Sequence, residues 1–300
     1  MELNAQWLDF ERRPNRQHLL RLHRSQQPQA QSADPSGRLV QQLQQRWAER
    51  VGLPPEQVLL CRSPEEGLRL VCDGLLTHGD TVNLARPAPT AWLAAVLSAG
   101  ATFVDIGRLN DGRSDPAVIA AVPTPRLVIA GAPALSGAED VSAWQGGAAP
   151  IVADATGAAR LVGGPVSGAS VTLAALRDPS DPRSPLLWAL LGPPAAPLRY
   201  LMGPSLLPAS WANRCLAALR SCDDSAEAEL RRALSARATS LEERLPLSAG
   251  QSWLPAAGMV RAIRCLAADG ASLVPRLTLM GAAAEAHGAF PGRGLVVVSL

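Results

Sequence analysis

All 28 basic side chains of this chain are arginine, and there is no lysine anywhere in it. Schiff-base chemistry needs a neutral amine that condenses with a carbonyl, so it is closed to every side chain present. A guanidinium stays protonated and does not substitute. The five cysteines (Cys61, Cys72, Cys215, Cys222, Cys265) contain no CxxC pair, and the four histidines (His18, His23, His78, His287) do not cluster, so no metal site is legible. GxSxG, P-loop and HExxH motifs are absent as well. The remaining candidates are acids. Asp154 closes the apolar run Ile151-Val152-Ala153 and precedes Ala155-Thr156-Gly157. A carboxylate at the C-terminal end of a strand can face a cleft, or it can simply open a turn. The neighbouring acids Glu65-Glu66 and Asp223-Asp224 suit helix N-termini better than acid–base work.

Composition narrows the class. The 300 residues are 47% hydrophobic and 18% charged, with a formal net charge of +2, which is globular and gives no electrostatic case for nucleic acid. Apolar stretches such as Ala91 to Leu97 are too short to span a bilayer, and the N-terminus shows no basic region followed by an apolar run. The expectation is a cytoplasmic protein with reduced thiols, with no nucleic-acid or membrane partner. Trp47 and Trp188 sit in apolar patterns and read as core, whereas Trp7 and Trp211 are candidates for an interface.

These residues must be positioned by the elements around them. Residues 1–35 form a polar arm made basic by Arg12, Arg13, Arg16, Arg21 and Arg24. Leu39, Val40, Leu43, Trp47 and Val51 then recur at helical spacing and predict a helix over 37–50. A strand at 57–60 leads into Ser63-Pro64-Glu65-Glu66, a capping box with proline at the first helical position, which opens a helix to about 76. Strands at 82–84, 102–106, 127–130, 151–153 and 171–174 alternate with helices at 90–99 and 114–121. That alternation predicts a mostly parallel sheet covered on both faces. After the connector Pro193-Pro194-Pro197, helices are expected at 206–220, 224–243 and 257–268, with a short apolar segment at 252–254 and a last strand at 295–298.

Several segments also occur in a telling order. Trp7-Leu8-Asp9-Phe10 with Pro14-Asn15 is followed by Asp34-Pro35-Ser36-Gly37, by the run Cys61 to Leu68, by Pro87 and Trp92 ahead of Gly100, and by Gly131 to Gly137. Then come Ile151-Val152-Ala153-Asp154, the stretch Leu173 to Pro194, and Phe290 to Ser299. Together they resemble the fold type I family of pyridoxal-phosphate enzymes, in particular histidinol-phosphate aminotransferases and threonine-phosphate decarboxylases. The corresponding family segments are "LDF…NPNP", "YPDP.G", "GNGSDEAI", "PtYs.Y…aG", "NPNNPTG", "vvDEAY", "LRSLSKAFGLAGLRLGYAIGPP" and a closing "F…lRvs" strand.

The resemblance implies a cofactor site whose parts can be followed residue by residue. The Schiff-base lysine falls on Asp178, with Arg177 beside it. The phosphate cradle falls on Cys61, Ser63 and Pro64, and Pro64 removes a backbone donor. The phosphate-clamping arginine falls on Leu186, with Arg183 close in sequence. The stacking aromatic falls on Pro89, the asparagine to the ring oxygen on Ala134, and the tyrosine after the acid on Gly157. The tyrosine lent to a partner subunit falls on Ser32, and the arginine for the substrate carboxylate falls on Val297. Asp154 alone matches, at the acid that pairs with the pyridinium nitrogen.

The expected fold class is α/β: a three-layer αβα large domain over 36–200 with a mostly parallel sheet, and a smaller C-terminal α+β domain over 201–300, preceded by the arm 1–35. The expected function is a non-catalytic, aminotransferase-like protein without a bound cofactor, acting as a binding or assembly partner. It would form a homodimer or a heterodimer with an active paralogue. The alternative is an enzyme of amino-acid-type metabolism that holds pyridoxal or pyridoxamine phosphate, or another small anion, without a covalent link. It would use Asp154 and Ser63, with Arg62, Arg177 or Arg183 as anion contacts.

Overall fold

Strands buried on both faces read as short apolar runs, and the chain forms them where such runs occur. The computed structural model describes residues 35–84, 88, 90–106, 117, 125–131, 149–202, 207–254, 258–280, 282, 284–290 and 293–299. The basic arm up to residue 34, nearly all of the expected helix at 114–121, and the positions Ser32, Pro89 and Ala134 lie outside them.

Helix α1 (Pro35–Val51) leads through a 3₁₀ turn (Pro55–Gln57) into strand β1 (Val58–Cys61). Then come α2 (Pro64–Leu75), β2 (Thr81–Leu84), α3 (Thr90–Ser98), β3 (Thr102–Asp105), β4 (Leu127–Gly131), β5 (Ile151–Asp154) and β6 (Val171–Asp178). β7 (Asp181–Leu191) returns alongside β6. The sheet has seven strands in the order β1-β7-β6-β5-β4-β2-β3. Strands β2 to β6 pair in parallel, and β7 lies antiparallel to both of its neighbours.

Alternate residues of each strand serve opposite faces, as a pleated strand requires. Leu59, Val82, Leu84, Ile129, Val152, Leu173 and Leu190 pack with Leu68, Val71, Trp92 and Val96, and with Leu198 of α4 (Ala195–Met202). Leu60, Ala174, Leu176, Leu187 and Ala189 face the other way, onto Leu43 and Trp47 of α1. They share that core with Cys215 and Leu216 of α5 (Ala209–Ser221) and with Leu230 and Leu234 of α6 (Asp224–Arg244). The rest of the chain forms β8 (Ser252–Trp253), β9 (Val260–Leu266), α7 (Ala267–Leu279), β10 (Ala284–Phe290) and β11 (Arg293–Ser299). These strands make a four-stranded sheet in the order β10-β11-β9-β8. Ile263 and Val296 of that sheet belong to the same core as Trp47. No helix among the described residues is long and apolar enough to cross a membrane.

Two expectations are corrected. The expected helix at 257–268 is strand β9, and the helix follows it at Ala267–Leu279. The reason is long-range: β9 pairs along its whole length with β11, and Arg261 is buried against Glu242 and the Leu254 carbonyl, partners that local spacing does not reveal. The connector around Pro193 is shorter than expected, because α4 begins at Ala195.

Gly163 shows how tightly the layers close. It lies next to Trp47, whose Nε1 donates to the Gly163 carbonyl at 3.0 Å. A Cβ at Gly163 would meet the Ala174 Cβ at 2.8 Å and the Ala175 N and O at 3.0 Å. These are backbone and backbone-proximal atoms of a central strand and cannot yield cheaply. Gly163→Ala is therefore expected to lower stability by about 2 kcal/mol, the usual cost of overpacking, read as a lower urea midpoint at unchanged m-value.

Candidate functional site

Asp154 stands at the C-terminal end of β5, opposite Leu173 of β6. The chain turns there, and the carboxylate makes the turn. Oδ1 accepts from the Thr156 backbone N–H at 2.9 Å and from the Thr156 hydroxyl at 2.6 Å. Oδ2 accepts from Nε1 of Trp92, on α3, at 3.1 Å. Burial pushes the carboxyl above its ordinary value; the Thr156 and Trp92 hydrogen bonds pull against that shift, and the charge of Glu65 adds to it. Trp92 is the contact that sequence reasoning missed. It lies 62 residues from Asp154, and no local signal marks the pair.

Arg177 binds this turn to the β6–β7 hairpin. Its guanidinium donates to the carbonyls of Thr156, Pro182 and Arg183. It is 4% exposed, and its Nε has no hydrogen-bond partner. Asp178, at the lysine position, is a further ~16 Å along β6 from the level of Asp154 at the usual strand rise. It lies in the exposed hairpin, where Oδ1 accepts from the Ser180 hydroxyl at 2.7 Å and backbone N–H at 3.0 Å. Those bonds, with Arg214 at 3.5 Å from Oδ2, hold the carboxyl below its ordinary value. Arg183 is exposed in the stem of that hairpin, and its carbonyl is the part that Arg177 uses.

The start of α2 is closed by its own side chains. Ser63 Oγ accepts the Glu66 N–H at 3.2 Å, and Glu66 Oε2 accepts the Arg62 N–H at 2.6 Å. The Arg62 guanidinium lies on the same carboxylate, with Nη2 at 2.7 Å from Oε1. Burial works to raise the Glu66 carboxyl, but the hydrogen bonds from Arg62 outweigh it and hold it low. Pro64 has no N–H, and the Gly67 N–H is spent on the Ser63 carbonyl. The first turn thus offers an anion little beyond the Glu65 N–H, beside two carboxylates.

The remaining positions serve structure. Leu186 is buried in the core, and its carbonyl accepts from Nε1 of Trp211 at 2.8 Å. The Gly157 carbonyl accepts the Met259 N–H at 2.8 Å. Val297 lies in β11 between Ala262 and Glu285. All five cysteines are buried; burial pushes Cys61 and Cys72 up to about 12, and Cys215 and Cys222 up to about 11, which leaves no thiolate at neutral pH. Among the described residues, no group of three His, Cys, Asp or Glu side chains could hold a metal ion.

No family model matches the sequence. No curated protein matches it either. Solved structures do match. The histidinol-phosphate aminotransferase of Sinorhizobium meliloti, in complex with pyridoxal 5'-phosphate, superposes with a TM-score of 0.69 at 18% identity over 94% of this chain and 81% of its own. The aspartate aminotransferase of Thermus thermophilus with maleate gives 0.68 at 18% identity, over 94% and 83%. An aminotransferase of Streptoalloteichus hindustanus gives 0.61 at 15%, over 87% and 85%. The fold is that of fold type I pyridoxal-phosphate aminotransferases.

That fold implies pyridoxal phosphate, and the residues present do not fit it. A Schiff base needs a lysine, and the chain has none. The acid that would pair with the ring nitrogen already accepts three hydrogen bonds, one from Trp92 and two from Thr156, which leaves one of its roughly four acceptor sites. The helix end that would cradle the phosphate is capped internally by Ser63 and Glu66.

Proposed function

We propose that this chain is a non-catalytic protein on an aminotransferase scaffold, retained as a binding or assembly partner. One observation carries the reading. The chain has no lysine, so no side chain can form the family's Schiff base with the cofactor. The two acids at the start of α2, where a phosphate would need positive potential, support the same conclusion, and so does the structural use of Asp154 by Trp92 and Thr156. The assembly expected is a homodimer, or a heterodimer with an active paralogue of the same fold.

The test is direct. Purified protein is mixed with excess pyridoxal phosphate, dialysed, and read for the visible band of a protein-bound aldimine and for transaminase activity with common amino donors. Neither should appear. Stoichiometric retention of the cofactor after dialysis overturns the proposal. Thermal stabilisation by pyridoxamine phosphate that vanishes in Asp154→Asn would favour the non-covalent alternative instead.

A further inference from the structure

Away from Asp154, a cleft of about 450 Å³ opens where the end of α1, the loop at 160–165 and the start of α6 meet. Three guanidinia line it: Arg50, Arg160 and Arg231. Two carboxylates, Asp224 and Glu227, line it as well, so one positive charge is unbalanced.

The geometry locates that charge. Glu227 is turned onto the loop: Oε1 accepts the Leu161 and Val162 N–H groups at 2.9 and 3.3 Å, and Oε2 is sealed from solvent without a hydrogen-bond partner. Arg231 approaches it only to 3.8 Å and stays 61% exposed. Arg50 lies 3.6 Å from the fully exposed Asp224. Both separations exceed the ~2.7–2.9 Å of a charge-assisted hydrogen bond, so these guanidinia keep donors to spare. Arg160 is exposed and has no side-chain partner among the described residues. Helix electrostatics explain Arg50 at the C-terminus of α1 and the two acids in the first turn of α6, and Arg231 is the i+4 neighbour of Glu227. They do not explain Arg160. The loop that carries it is held by the Trp47 bond to the Gly163 carbonyl and by the Glu227 carboxylate on the Leu161 and Val162 N–H groups, while Arg50 and Arg231 stand on helices.

We propose that this cleft binds the phosphate group of a small organic phosphate. Three guanidinia brought in by three different elements suit an anion with acceptors on several sides, and Val51 and Val162 offer an apolar wall to its carbon skeleton. The site is independent of the scaffold's cofactor position and of the function proposed above.

Glycerol 3-phosphate is titrated by calorimetry into the full-length protein at constant ionic strength, with succinate as the carboxylate comparison. Saturable binding is expected. Arg160→Ala, an exposed change that leaves the fold intact, should weaken it about tenfold or more, as befits a lost charged hydrogen bond. Arg237→Ala, an exposed arginine further along α6, should leave it unchanged. Absence of saturable binding in the native protein, equal affinity in Arg160→Ala, or equal affinity for succinate would each overturn the proposal.

Discussion

Asp154→Ala is expected to lower the unfolding free energy by about 3 kcal/mol. The figure follows from what the carboxylate holds. Three donors (the Trp92 indole N–H, the Thr156 N–H and the Thr156 hydroxyl) lose their acceptor together. A buried donor left unpaired costs ~1–3 kcal/mol, and partial exposure of the turn keeps the sum toward the low end. An acid retained only to meet a cofactor would cost the ligand-free protein little. Asp154→Asn, which keeps one acceptor, should sit between the two, and its pH dependence gives a second readout. Burial raises the Asp154 pKa above its ordinary 3.8, so the folded state binds this proton more tightly than the unfolded chain. The stability contributed by this group is therefore complete below 3.8 and is lost as pH rises through the folded value. Relative to Asp154→Asn, the native protein should lose stability as pH rises above 4. Urea denaturation across pH checks both statements. Unchanged midpoints in Asp154→Ala would show that the turn does not depend on this acid.

Trp47→Ala is expected to cost about 4 kcal/mol, the usual range for removing a large aromatic from a packed core. Trp47 is fully buried and packs in the core that joins α1, the large sheet and the C-terminal sheet. Trp47→Phe is the milder truncation. It keeps an aromatic ring but loses the five-membered part of the indole together with the N–H to the Gly163 carbonyl, so a loss of about 2 kcal/mol is expected, part cavity and part hydrogen bond. Chemical denaturation of the pair measures the difference. Equal losses would mean that the six-membered ring contributes nothing to the core.

The parallel part of the sheet was legible in the sequence, because strands buried on both faces have no polar side to obscure them. The cap at Ser63 was legible too, since a capping box is a local pattern. β7 was not. Its outer end carries Pro182 and Pro185, residues that argue against a strand, yet they fall in a stem where the ladder slips twice, between Leu176 and Asp178. β9 reads as a helix because Arg261 and Arg264 recur three apart, as on a helix face, and its partner β11 lies about thirty residues further along the chain. The candidate site divides in the same way. Asp154 at a strand end was visible, as was the turn that follows it. Trp92 and Arg177, which complete its environment, arrive from α3 and from the hairpin, and only tertiary structure brings them there.

The antiparallel strand of the large sheet, β7, has a consequence for how the chain is made. β1 is fully apolar, and among the described residues its only ladder is with β7. On the ribosome, residues 58–61 therefore emerge long before residues 181–191 exist to receive them. Until then β1 is an unpaired, greasy edge, which is the kind of surface that recruits other nascent chains or a chaperone. Closure of the sheet has to wait for a non-local pairing and is a slow, late event for that reason. Premature termination anywhere before β7 would release a fragment whose first strand has no place to dock.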